Sequence, residues 1–382
     1  MTALKWIFWG GLLWLIYIYI GYPMLLALLR RIRPRMVKRG ADLPRVTIVT
    51  AAFNEEGHIG QTIANKLALD YPRELLEIIV VSDGSVDRTD EIVTSFASQG
   101  VKLIRQEPRQ GKTAGLNKAL AVAQGDIVVF SDANSLYAPD GLKKLVGAFA
   151  DPTVGYVTGK MVYVSSDGSL VGDGCTAYMR YENLLRELES VVGSVVGVDG
   201  GIDAVRRKLY QPMRADQLPD FVLPLSVVRQ GYRVVYEEQA LLHEHALSAA
   251  ADEFRMRVRV SLRAFWALWD LRSLLSPFRF GLFSWQLWSH KVLRYLAFVP
   301  MVAVLVANVL LLNAGWIYQI ALLGQVLIYG LAIAGSLVGR LDKAPKVIVW
   351  PNYFVLLNVA SGVAFWRFIN GQKQVLWKPR TG

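Results

Sequence analysis

Three short polar clusters each follow a β-branched run, and each carries groups able to hold a ligand or a cation. They are Ala51-Ala52-Phe53-Asn54-Glu55-Glu56, Ser82-Asp83-Gly84-Ser85-Val86-Asp87 and Ser131-Asp132-Ala133-Asn134-Ser135. In a doubly wound sheet the carboxyl ends of the strands border one crevice, and ligands bind there. Helix capping is the alternative for any single cluster, because Asp and Ser favour helix N-termini. Three in succession argue for a site. Asp132 and Asn134 are the most pointed pair, since side chains two apart on an extended strand end lie on one side. A carboxylate and an amide oxygen placed so can hold a divalent cation, magnesium or manganese, with positions left open for phosphate oxygens.

Other constellations are weaker. Gln110-Gly111-Lys112-Thr113 has the tail of a phosphate-binding loop, but the full pattern needs glycine where Gln106 stands. An ATPase is therefore not expected, although Lys112 at the mouth of a helix can still meet a diphosphate. His243-Glu244-His245 puts two imidazoles on one face of a strand with no third ligand in spacing, and a structural role is expected. The single cysteine, Cys175, excludes a disulfide framework and any cysteine-built zinc or iron–sulfur centre.

The elements that must position these groups follow from the pattern. Strands are expected at Arg45–Ala51, Leu76–Ser82, Val101–Gln106, Asp126–Ser131 and Arg233–Glu237, with helices around His58–Leu69, Arg88–Ala97 and Thr113–Ala123. Four βα units in order imply a mainly parallel sheet covered on both faces. Asp140–Phe149 and Ala177–Val192 add two helices. This soluble α/β domain, 44–245, lies between apolar parts.

Of the 382 residues 53% are hydrophobic and 19% charged, which excludes a disordered chain. The net charge of +11 invites a nucleic-acid reading, but much of it flanks apolar runs: Arg30 to Arg39 after the first, Arg255 to Arg263 before the others. Basic residues placed so mark a cytoplasmic membrane face. The lipid bilayer is the expected partner, and no nucleic acid. Residues 4–29 read as a transmembrane anchor, being too long and too weakly flanked for a signal peptide. Residues 246–290, rich in aromatics and broken by charges, read as interfacial helices. In 291–368, Val292–Leu312 and Trp316–Val338 are each long enough to cross, and Val347–Phe368 is weakened by Pro351, Asn352 and Asn358. A final span would leave Arg367, Lys373, Lys378 and Arg380 outside, so that segment is re-entrant or breaks the charge rule.

Taken in order, Ala51 to Glu55, Val81 to Asp87, Pro108 to Thr113 and Phe130 to Ser135 resemble the motifs of family 2 inverting glycosyltransferases with the GT-A fold. The anchor–domain–spans layout is similar to the membrane-integrated branch, which includes hyaluronan, chitin-oligosaccharide and poly-N-acetylglucosamine synthases. The resemblance implies a GT-A-type doubly wound mixed sheet inserted between transmembrane helices. It implies a nucleotide-sugar donor, of the UDP class, whose base and ribose are held by Ala52, Glu55 and Asp83, with Lys112 near the diphosphate. Asp132 and Asn134 fill the D-x-D slot for the divalent cation, the second acid being an amide here. Gly200, in Gly197-Val198-Asp199-Gly200-Gly201, and Arg207 after it resemble the acceptor-side loop. Asp220 matches the catalytic base, with Pro219 in place of the acid usually before it.

The family's Q-x-x-R-W signature is degraded to Met256-Arg257-Val258-Arg259-Val260, which keeps only the arginine, Arg259. The implied activity is sugar transfer to a glycan or lipid-linked acceptor, in exopolysaccharide or cell-envelope glycan synthesis. Non-processive glycosylation of a lipid carrier is the nearest alternative; a transporter is a distant one, lacking enough spans. The implied place is the inner membrane, multi-pass, with the catalytic domain in the cytoplasm and polysaccharide export proteins as candidate partners. The aromatic stretch Phe265–Trp288 is expected to close the acceptor side.

Overall fold

The computed structural model describes residues 1–164, 173–245, 250–337 and 345–374. The side chains of Cys175 and His245, and residues Lys378 and Arg380, lie outside what it describes.

A long helix, α1 (Thr2–Ile32), opens the chain and passes through a π-helical segment at Tyr17–Gly21. The domain then runs β1 (Val46–Ala52), α2 (Ile59–Leu67), β2 (Leu76–Ser82), α3 (Thr89–Ser95), β3 (Val101–Arg105), α4 (Lys112–Val122) and β4 (Ile127–Asp132). Next come β5 (Leu136–Tyr137), α5 (Gly141–Gly147), β6 (Val154–Val164), α6 (Asp173–Val192), β7 (Ile202–Arg206), α7 (Pro219–Arg229) and β8 (Arg233–His245). All eight strands form one sheet in the order β3-β2-β1-β4-β7-β6-β8-β5. β1 to β4 pair in parallel, whereas β7 runs antiparallel to both β4 and β6.

Both β1 and β2 are buried at every position, as strands covered on two faces must be. Alternate residues serve opposite layers. Ile48, Ile78 and Val80 pack on Ile59 and Ile63 of α2 and Leu142 and Leu145 of α5. Val49, Ile79 and Val81 pack on Leu116 and Ala119 of α4 together with α7.

The second half of the sheet escaped the sequence pattern. In β6 the pairing with β8 shifts register at a one-residue bulge at Gly155 and again opposite Gly159, where β8 has four residues to one in β6, and both shifts interrupt the regular pairing. A Cβ at Gly159 would meet the Ala240 carbonyl oxygen at 2.5 Å, so the backbones there approach too closely for a side chain. β8 continues to His245, beyond the expected end at Glu237, because β6 and β5 flank it.

After the sheet, α8 (Ala250–Asp270) lies against the domain and leads to α9 (Leu282–Tyr295), α10 (Phe298–Leu310), α11 (Trp316–Leu337) and α12 (Lys346–Ile369). Three helices, α1, α11 and α12, are long and apolar enough to cross a membrane. The run Val292–Leu312, expected as one span, is broken instead: α9 and α10 meet at 57°. Pro300 in the first turn of α10 has no N–H for the preceding turn, which favours a restart there. At 13 residues, α10 alone reaches only about 20 Å, short of a hydrocarbon core.

The polar residues of α12 are structural. Asn352 donates to the Ala332 carbonyl on α11 at 2.7 Å, and Asn358 donates to Phe354 one turn back at 2.8 Å. α12 also runs side by side with α8, from Tyr353 beside Glu253 to Phe368 against Trp266. At its end Lys373 reaches Asp216 of the α/β domain at 2.8 Å.

Candidate active site

The carboxyl ends of β1, β2 and β4 meet in one crevice, and the turns after them are stitched to one another. Ala52 ends β1 fully buried, and its carbonyl accepts from the Asp83 N–H at 2.8 Å. Asn54, in the left-handed region at φ 54°, accepts from Val86 N–H through Oδ1 at 2.9 Å. Glu55 heads α2, its N–H donating to Thr89 Oγ1 at 2.8 Å. Asp83 is 2% exposed and fastens the loop after β3. Its carboxylate accepts from the N–H groups of Gln110 and Gly111 at 2.9 and 3.1 Å and from Gln106 Nε2 at 2.5 Å. Gln106, where a phosphate-binding loop needs glycine, is thus a buried clamp. Arg109 pairs with Asp83 at 3.3 Å and stacks on Phe53, its guanidinium carbon 3.5 Å from the ring centre. Phe53 and Arg109 offer planar surfaces that motif reading did not single out.

Gly111 releases the chain into α4, which presents Lys112 to the crevice. Its Nζ lies 2.7 Å from Asp132 Oδ1 and 3.9 Å from Asp220 Oδ1. Burial works to lower the Lys112 pKa, but Asp132, Asp220 and Asp203 outweigh it and raise the value, so the ammonium stays charged. Asp220 sits in the first turn of α7 directly after Pro219, whose ring suits a helix start. Withdrawal from water raises its pKa, with Asp132 adding to the rise; Lys112, Arg263 and Arg259 pull it back. A carboxylate tuned upward is a stronger base. Gly200 at φ 89° lies against it, and a Cβ there would fall 2.7 Å from the Asp220 carboxyl carbon. The loop of Gly200 is held by Arg186, which pairs with Asp199 at 2.6 Å and donates to Gly197 O at 3.0 Å.

Lys112, Asp132, Asp220, Gly200 and Arg259 therefore share one region, and Ala52, Glu55 and Asp83 stand at the neighbouring ends of β1 and β2. Arg207 does not join them. In the antiparallel pairing of β7 with β4, Ser131 faces Ile202 while Ile127 faces Arg206. Arg207 is thus at the opposite edge of the sheet, about 14 Å along the strand from the crevice end. There it lines a groove with Asp42 and Asp126. Nearness in sequence to Gly200 suggested one loop, but β7 lies between them. Asp203 on β7 was not anticipated: it is 1% exposed, and burial together with Asp220 and Asp199 raises its pKa to about 7.

Two of the tryptophans of Phe265–Trp288 are engaged in helix packing, while Trp269 and Trp288 are exposed. Trp266 packs on Phe368 and donates to Gln372 O, while Trp285 donates to Tyr17 OH on α1. A different cavity of about 400 Å³ opens between α1, α6, α8 and α12, lined by Tyr19, Tyr178, Tyr181, Trp350 and Tyr353. Arg257, Lys291 and Arg294 border it, next to a buried His290 held by Glu182 and Glu189.

Asp132 and Asn134 suit a hard cation by donor type. The Lys112 ammonium against Asp132 shows that a positive charge is accommodated at this position. Among the described residues no three or more His, Cys, Asp or Glu side chains converge as a ready-made cage.

Comparison with known proteins agrees with this arrangement. Residues 47–210 match the family model described as glycosyl transferase family 2. A β-monoglucosyldiacylglycerol synthase of Synechocystis is 31% identical over 169 residues, 43% of this chain and 35% of that protein. A poly-β-1,6-N-acetyl-D-glucosamine synthase of Staphylococcus epidermidis is 25% identical over 280 residues, 69% of this chain and 66% of that one. The chain spans about half the length of the curated relatives it matches. Among solved structures, a mannosyltransferase of Pyrobaculum calidifontis in complex with GDP-Man and Mn²⁺ superposes with a TM-score of 0.71 at 22% identity. That superposition covers 97% of this chain and 98% of the other. The motif order, the mixed sheet and these likenesses agree that residues 47–210 form a glycosyl transferase family 2 domain with a GT-A-type fold.

Proposed function

We propose that this enzyme transfers a sugar from a nucleoside-diphosphate sugar to a glycan or lipid-linked acceptor at the cytoplasmic face of a membrane, inverting the anomeric centre. The observation that carries the reading is the Lys112 ammonium between Asp132, on the donor wall, and Asp220, on the acceptor wall.

The nucleobase and ribose would lie along Ala52, Glu55 and Asp83, with the face of Arg109 on Phe53 as a stacking surface. Asp132 and the Asn134 amide oxygen would hold a divalent cation, which when bound neutralises charge gathering on the departing diphosphate. Lys112 adds a fixed positive charge on the same side, already in place before the sugar moves. On the opposite side Asp220 accepts the proton of the attacking acceptor hydroxyl, so that the C–O bond forms as the bond to diphosphate breaks. Gly200 leaves room for the Asp220 carboxylate, and Arg263 and Arg259 offset part of the rise that burial imposes on its pKa.

Placement in the inner membrane, multi-pass, is supported by three helices of spanning length and by basic residues beside them. Service in exopolysaccharide or envelope glycan synthesis is supported by the staphylococcal relative. Single transfer to a lipid acceptor is the second reading, favoured by the missing Gln and Trp around Arg259 and by the glucolipid synthase relative. Purified membranes given a panel of radiolabelled nucleotide-sugars should label one product class with one donor. Growth of a ladder on a gel indicates polymer and would bring export proteins into play, whereas a single lipase-sensitive product indicates a glycolipid. No labelling by any donor would reject the proposal.

A further inference from the structure

The sequence departs from the D-x-D pattern at Asn134, and it carries an unassigned acid at Glu244 within His243-Glu244-His245. The fold brings these two anomalies together. Glu244, on β8, is 1% exposed, and its Oε1 accepts from Asn134 Nδ2 at 3.3 Å. The two residues are 110 positions apart, so motif reading cannot link them.

An amide has two chemically different ends, and a cation can use only the oxygen. Here the Glu244 oxygen takes the Nδ2 end, which leaves Oδ1 for other partners. The turn around Asn134 is held as well. Thr62 donates to Ala133 O at 2.6 Å, and the buried Lys66 Nζ donates to Ser135 O at 2.6 Å. Backbone on both sides of Asn134 is fixed by α2, and its side chain is in contact with β8. Of the Glu244 carboxylate oxygens, Oε1 is the atom that faces Asn134, and Oε2 is buried.

We propose that Glu244 is a positioning residue that locks the Asn134 amide with Oδ1 toward the cation. A D-x-N site then presents an oxygen as reliably as a D-x-D site would. A carboxylate at 134 would need no such lock, since both its ends are oxygen, and it would instead meet Glu244 as a like charge. The inference rests on the divalent-cation reading proposed above.

The test is a double-mutant cycle read by Mn²⁺ binding on the purified full-length protein. Free Mn²⁺ is followed by electron paramagnetic resonance, with UDP and with GDP in separate titrations. Glu244→Leu removes the acceptor and should weaken Mn²⁺ binding about tenfold or more, the usual cost of losing a partner that orients a ligand. Asn134→Asp should improve binding far more in the Glu244→Leu background than in the parent, because only there is its carboxylate unopposed. Equal Mn²⁺ affinity of Glu244→Leu and parent, or an Asn134→Asp effect independent of residue 244, would overturn the proposal. Asn134→Asp alone should lower the unfolding temperature of the Mn²⁺-free protein, and added Mn²⁺ should restore part of the loss. Unchanged stability of that variant would also overturn the proposal, whether or not Glu244→Leu folds. A parent that binds no Mn²⁺ with either nucleotide would instead remove the cation reading itself.

Discussion

The two walls of the crevice are built in opposite ways. On the donor wall, β1, β2 and β4 are adjacent, and short motifs bond to one another through main-chain groups: Asp83 to Gly111, Asn54 to Val86, Glu55 to Thr89. On the acceptor wall, single residues arrive from distant elements: Asp220 from α7, Gly200 from the loop before β7, Arg259 and Arg263 from α8. Arg263 shows the style, its guanidinium donating to the carbonyls of Asp216 and Gln217 some 46 to 47 residues away. The donor wall is local and satisfied by its own backbone. On the proposed assignment the acceptor wall depends on how α8 docks on the domain, so changes in α8 should reach acceptor steps first and donor binding last.

The sharpest way to break that division is Asp220→Asn. If the acceptor wall holds the base alone, turnover should fall by about 10³-fold, within the usual range for losing a general base. Nucleotide affinity, measured by calorimetry, should change less than about twofold. A matching loss of nucleotide affinity would mean that the walls are not separable and that Asp220 shapes the donor site.

This division also explains what could be read from sequence. The donor motifs were legible because each is contiguous and follows a β-branched, almost wholly buried strand; β1 and β2 begin within a residue of where the pattern places them. β6 and β7 were not, because register shifts at Gly155 and Gly159 interrupt the regular pairing of one, and the other is five residues long with a buried Asp203 inside. Arg207 was misplaced for the same reason: with β7 unseen, its position beside Gly200 in sequence looked like position beside the site. The α9–α10 break was hidden because an apolar run looks the same straight or bent.

Asp203 lies on β7 at the seam between the walls, and it should be visible as a pH-dependent stability term. Its folded pKa of about 7 is above the usual carboxyl value near 4, so the folded state binds this proton more tightly than the unfolded chain. The stabilisation is fully present below pH ~4 and is lost as pH rises toward 7, amounting to roughly 4 kcal/mol at most. Asp203→Asn cannot titrate. Its thermal unfolding temperature in detergent should therefore decline less than the parent's between pH 5 and 8. Parallel curves for the two proteins would show that Asp203 is ionised throughout, with its charge absorbed across the seam.

The smallest effect is expected at Arg259, the one position retained from the degraded acceptor signature. Its positive charge lowers the Asp220 pKa, and it lies one turn from Arg263, which is tied to the Asp216–Gln217 backbone. Arg259→Lys keeps the charge and loses the planar fork that can take two hydrogen bonds from one partner. If Arg259 acts on the base only through its field, Lys should leave the acid limb of the rate profile where it was. If it also grips the acceptor, the acceptor KM should rise a few-fold, about 1 kcal/mol for one lost hydrogen bond, while donor KM stays fixed. Arg259→Met separates the two, because it should in addition move the acid limb to higher pH as Asp220 loses a neighbouring cation. A rise in donor KM with Lys would place Arg259 on the departing diphosphate instead, and the boundary between the two walls would then have to be drawn on the other side of α8.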